Sequence, residues 1–136
     1  MLSPTLTTLR LFLHVLGATV WVGGQIVLAG LVPTVRKVDP EAPRLVARQF
    51  NKIAWAGFAL LVVTGVWNLF AIDVGDTSLR YQVTLMVKLT AVAATAIGAV
   101  LHTIAKSKVG LAVWGAVSLV GALAALLLGI VLQSGG

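Results

Sequence analysis

Four long apolar runs organise the chain. They cover about residues 9–31, 50–72, 81–102 and 111–132, separated by short segments that hold most of the charge. Each run approximates the ~20 residues a helix needs to cross ~30 Å of hydrocarbon. Lipid cannot satisfy backbone polar groups, so helices are the expected form, and no short period-2 segments of a barrel occur. The pattern predicts an all-α, integral membrane four-helix up-down bundle with helices at about 9–32, 43–72, 80–103 and 110–133, forming one domain over 1–136. Short connections make sequential helices antiparallel neighbours. Pro33 is expected to end or loosen helix 1. Asp39, Pro40, Glu41 and Pro43 read as a turn and a new helix start near Glu41, where Pro and acids suit a helix N-terminus.

Composition agrees with a membrane class. Of 136 residues, 59% are hydrophobic and 10% charged, against about 25% charged in soluble domains. Mean hydropathy is +1.03. The first apolar run exceeds the roughly 7–15 residues of a signal-peptide core and is expected to stay in the protein. The absence of Cys excludes disulfides, thiolate zinc sites and iron–sulfur clusters. A net charge of +6 is better explained by loop charges meeting anionic lipid than by nucleic acid. Connections 1 and 3 with their flanks carry Arg36, Lys37, Arg44, Arg48, Lys52, Lys106 and Lys108, and the opposite side carries Arg10 and Arg80. The positive-inside rule then puts both termini outside the cytoplasm of a cell-membrane protein.

Away from the ends of the runs, which Arg10, Lys52 and Arg80 mark, the ionisable side chains expected inside the bilayer are His14, Lys88 and His102. Such residues are costly in lipid and mark functional candidates. Taking Arg10 and Arg80 as the outer boundary, His14 lies ~6 Å in and Lys88 ~12 Å in, with His102 ~21 Å beyond Lys88. His14 and His102 are thus too far apart to share one metal ion. At 100° per residue, His14, Ala18, Trp21 and Gln25 form one stripe, with Gly17, Gly23 and Gly24 beside it. Thr84, Lys88, Thr95 and His102 form a second stripe expected to face the bundle. Helix 2 offers Thr64, Trp67 and Asn68 at the level of His14. On helix 4, Gly121, Ala125 and Gly129 at four-residue spacing, with Ser118, predict close packing within the bundle or in a homo-oligomer.

A histidine among small residues and an aromatic suits haem b. A neutral imidazole is a standard axial ligand, and helix bundles build such sites between facing helices. On this reading His14 holds the iron, and Gly17, Ala18, Trp21 and Trp67 line the macrocycle. Arg10 and Arg80 meet its propionates. A single imidazole leaves the other iron face to a small diatomic ligand, with Lys88 and Asn68 as distal catalytic groups. Lys88 as a second iron ligand through a neutral amine is the alternative. The plainer readings are a hydrogen-bonded interfacial His14, a Lys88 that snorkels to the headgroups, arginines on lipid phosphates, a Trp21 packed in the core, and Trp55 and Trp114 in an interfacial aromatic belt.

The run from His14 through Trp21 to Gly24, HVLGATVWVGG, resembles the first helix of the CopD-like superfamily of small membrane proteins, and Leu85-Met-Val-Lys88-Leu resembles its lysine-bearing helix. A His in helix 1 and a Lys in helix 3 are also similar to the membrane protoporphyrinogen oxidase family. That resemblance implies a haem-b fold with His14 and Lys88 as its key residues. It covers about a third of the chain. Thr84 stands where the oxidase pattern has an Arg one turn before its Lys. The activities implied are nitric oxide plus oxygen chemistry at haem, porphyrinogen oxidation, or copper transport. For the last, this chain offers few Met, His or Cys.

Overall fold

The computed structural model describes residues 1–135. Four helices carry the chain: α1 (Leu6–Val38), α2 (Ala42–Phe70), α3 (Leu79–Ile104) and α4 (Lys108–Ser134). All four are long and apolar enough to cross a membrane, and the described residues contain no strand. Large apolar side chains such as Phe12, Val63, Val120 and Leu127 stand outward and exposed. That suits contact with lipid chains, which makes this a multi-pass membrane protein.

The helix ends follow local chemistry. Thr5 caps α1 in a reciprocal box with Thr8. Ser78 and Ser107 cap α3 and α4 by accepting from the N–H groups of Tyr81 and Gly110. α2 begins at Ala42 with a proline in its first turn, at the predicted start. Gly135 closes α4 in the left-handed conformation.

Pro33 departs from expectation. It neither ends nor shortens α1, which runs on to Val38. The proline removes one backbone bond, to the carbonyl of Ala29. Ala29 lies about two turns before the cations Arg36 and Lys37, and helices that cross membranes carry such a proline where local adjustment meets the freed carbonyl. A second departure is a π-helical turn at Thr19–Gly23, which interrupts the regular 100° rotation assumed for the His14–Gln25 stripe.

The chain forms two compact hairpins, one ending at Asp73 and the other starting at Val74. In the first, α1 and α2 run antiparallel. Gly17 and Gly57 let the backbones touch: a Cβ on Gly17 would stand 2.9 Å from the carbonyl oxygen of Gly57 and from the nitrogen of Leu61. Trp21, 2% exposed, lies edge-on to Trp55 at 5.0 Å and tilted against Phe58 at 4.5 Å. Trp55 therefore packs on the helix 1 core as well as serving any interface.

In the second hairpin, α3 and α4 close on a buried hydroxyl pair. Thr95 Oγ1 donates to the Ser118 carbonyl at 2.7 Å, and Ser118 Oγ donates to the Thr95 carbonyl at 3.0 Å. Gly98 and Gly121 flank the pair, one on each helix. The predicted Thr95–His102 stripe thus faces α4. His102 Nδ1 donates to the Leu111 carbonyl at 2.7 Å and its ring covers Gly115, which accounts for His102 as a hairpin contact.

Candidate functional site

The site builds from His14 in the first hairpin. Its Nδ1 lies 2.9 Å from Thr64 Oγ1. Thr64 is 2% exposed, and its Oγ1 also lies 2.7 Å from the Leu60 carbonyl oxygen and 3.2 Å from that of Leu61, on its own helix. When the hydroxyl proton goes to the helix carbonyl, as is usual for a threonine inside a helix, the hydroxyl accepts from the ring, Nδ1 carries the imidazole hydrogen and Nε2 the lone pair. This is the arrangement by which an outer partner orients a metal-ligating histidine.

Gly65 gives the ring its room. A Cβ there would stand 3.3 Å from His14 Cε1, so the Thr64-Gly65 pair both bonds and seats the imidazole. Thr64→Val keeps the shape and removes the acceptor. The variant is expected to lose about 1–3 kcal/mol of stability, because the ring N–H stays buried without a partner. Reversible unfolding in mixed micelles, followed by circular dichroism, measures it.

One turn along the hairpin from His14 sit Arg10 and Asn68, both half-buried. Arg10 Nε and Asn68 Oδ1 are shielded from solvent without a hydrogen-bond partner. Trp67 is half-buried beside them. Gly17 is buried under α2, so the space its missing side chain leaves is filled by backbone. Trp21 belongs to the aromatic cluster with Trp55 and Phe58. Ala18 is half-buried.

Lys88 and Arg80 lie on α3 in the second hairpin. Arg80 is exposed, and its carbonyl accepts from Thr84 Oγ1 at 2.8 Å. Lys88 leans along α4: its Nζ lies 3.3 Å from where a Cβ would stand on Gly129. With Thr95 opposite Ser118, the Lys88 backbone is level with Ala125. Its head thus reaches one turn, ~6 Å, toward the end of α4 at Ser134. All four acids of the chain, Asp39, Glu41, Asp73 and Asp76, fall outside the four helices, so no carboxylate within a span offsets this ammonium.

Among the described residues, no three or more His, Asp or Glu side chains gather as a metal cage. His14 is the one imidazole of the first hairpin. Sequence reasoning placed Thr64 and Asn68 at the right level, but missed Gly65, Gly57 and Phe58. The signal was present for one of them: Gly57, Leu61, Thr64 and Asn68 recur at helical spacing on one face of α2. No protein-family model, curated protein or solved structure matches the chain.

Proposed function

We propose that the protein is a haem-b-binding oxidoreductase of the cell membrane, with both termini on the non-cytoplasmic side and His14 as the axial iron ligand. The observation that carries the reading is the contact of His14 Nδ1 with Thr64 Oγ1 at 2.9 Å. Thr64 takes the Nδ1 hydrogen and leaves the lone pair on Nε2, as a metal-ligating imidazole requires. The donor set fits the group: one oriented histidine suits a metal that brings its remaining ligands in a macrocycle. The cation distribution supports the orientation.

Haem b, if bound, would supply a redox-active iron able to take a diatomic ligand, and nitric oxide plus oxygen is the reaction class we assign. The residues of the chain do the rest. Thr64 and Gly65 hold the imidazole in one orientation. Arg10 offers charge-assisted hydrogen bonding one turn away, where an acidic side arm would lie. Asn68 remains a proposed catalytic group of this hairpin, and Lys88 a separate candidate of the second hairpin.

The test is a visible absorption spectrum of detergent-purified protein produced with haem available, taken oxidised, reduced, and reduced with carbon monoxide. A Soret band that shifts with carbon monoxide is the expected result. A Soret band that does not shift would replace small-ligand chemistry with electron transfer between two firm ligands. A colourless protein, even after haem reconstitution, would overturn the reading.

A further inference from the structure

A groove runs along one face of the second hairpin, where α3 and α4 meet. Its floor includes Ala91 and Gly121, where a Cβ on the glycine would stand 3.1 Å from the Ala91 carbonyl oxygen. Val87 and Val120 flank it and are 52% and 65% exposed, so the groove opens outward to lipid. Its volume is about 510 Å³, within the ~300–1,000 Å³ of sites that take a small molecule. Thr90 brings the one hydroxyl of the lining and donates it to the Met86 carbonyl at 3.0 Å. The surface left is apolar, so inside a bilayer its occupant is a hydrocarbon chain or another helix.

Charge decides between them. Lys88 follows Val87 and precedes Ala91 by one turn, and both of those residues line the groove. Its Nζ lies 3.3 Å from where a Cβ would stand on Gly129, further along α4 than Ala124, the last groove residue of that helix. The ammonium thus stands just beyond one end of the groove, toward Ser134. No side-chain carboxylate falls within a span. A helix from a second copy would therefore fill the groove and leave the ammonium without a counter-charge, which hydrocarbon makes costly. A lipid with a net negative head supplies both parts. The polarity agrees: the head belongs at the Ser134 end, and the groove runs from there toward mid-span, ~10 Å along α3 from Val87 to Ala94. A neutral water could bond the ammonium but not offset its charge.

We propose that Lys88 and the α3–α4 groove bind one anionic glycerophospholipid, with an acyl chain in the groove and the phosphate on the ammonium. The site lies wholly in the second hairpin and does not rest on the haem reading.

The experiment offers the detergent-purified full chain equal amounts of dilauroyl phosphatidylglycerol and dilauroyl phosphatidylcholine. The two share their chains and differ in net charge. Native mass spectrometry counts the first lipid retained. A preference of about 5-fold for phosphatidylglycerol is expected, the effect of one lysine beside anionic lipid. Lys88→Met keeps the stem and should make the two lipids equal. Ala94→Leu and Ala124→Leu fill the groove from opposite walls, at half-buried positions outside the Thr95–Ser118 core. Each should remove the preference although the ammonium is intact, because head and tail belong to one ligand.

A lysine that merely reaches the bulk headgroups would keep its preference with the groove filled, and that result would overturn the proposal. A preference that survives Lys88→Met would overturn it too, since the cations of the connections would then be responsible. Equal retention of the two lipids by the parent chain would do the same. So would a dimer that Ala124→Leu dissociates, because a second copy would then hold the groove.

Discussion

His14→Gly is expected to strip haem from the purified protein, and added imidazole is expected to restore it. Losing a residue that merely orients a metal ligand costs 10–100-fold in affinity. Losing the ligand itself should therefore cost on the order of 100-fold or more. Glycine leaves a space of imidazole shape between Thr64 and Gly65, since His14 Nδ1 bonds Thr64 Oγ1 at 2.9 Å and the ring covers Gly65. Free imidazole entering that space meets the same acceptor and regains the same tautomer. Rescue thus separates ligation from folding, because a misfolded hairpin would not be repaired by a small base. A variant that keeps its Soret band in the absence of imidazole would move the iron to another ligand, and Lys88 would be the next position to change.

What could be read before the structure was the part that depends on a helix alone. The four apolar runs gave four helices, and Pro43 with its neighbouring acids marked the start of α2. The Thr95–His102 stripe lies against α4 as its spacing implied, because side chains four apart share a face whatever they meet. Contacts between helices were less accessible. Periodicity says which residues share a face, but not which neighbour fills the space before them. Gly17 was expected to admit a flat ligand, and α2 backbone lies 2.9 Å from its missing Cβ. The tautomer of His14 rests on where one hydroxyl proton of Thr64 points, which no spacing encodes. The π turn at Thr19–Gly23 lay beyond a fixed 100° rotation, and with it the stacking of Trp21 on Trp55 and Phe58. Pro33 misled because a membrane-spanning helix can carry a proline without ending, the freed carbonyl being met by local adjustment.

Gly98→Ala should be the most damaging single methyl in the second hairpin, at about 3 kcal/mol of stability. A Cβ at Gly98 would stand 2.7 Å from the backbone nitrogen of Ser118 and 3.0 Å from both its Cα and the Trp114 carbonyl. All three are main-chain atoms, so no side chain can rotate away and the helices must part. Parting them stretches the reciprocal Thr95–Ser118 bonds, now 2.7 and 3.0 Å, in a core where both residues are nearly inaccessible. Interhelical hydrogen bonds inside membranes average only about 0.6 kcal/mol each. Ser118→Ala alone should therefore cost far less than the glycine change, and steric contact rather than hydrogen bonding sets the larger figure. Gly30→Ala is the matched control, since nothing lies within 4 Å of its added Cβ. That variant should keep or slightly raise stability, alanine being about 1 kcal/mol the better helix former. Unfolding in mixed micelles compares the three. Equal losses at Gly98 and Gly30 would trace the effect to the helix backbone and remove close approach as the reason α3 and α4 pair where they do.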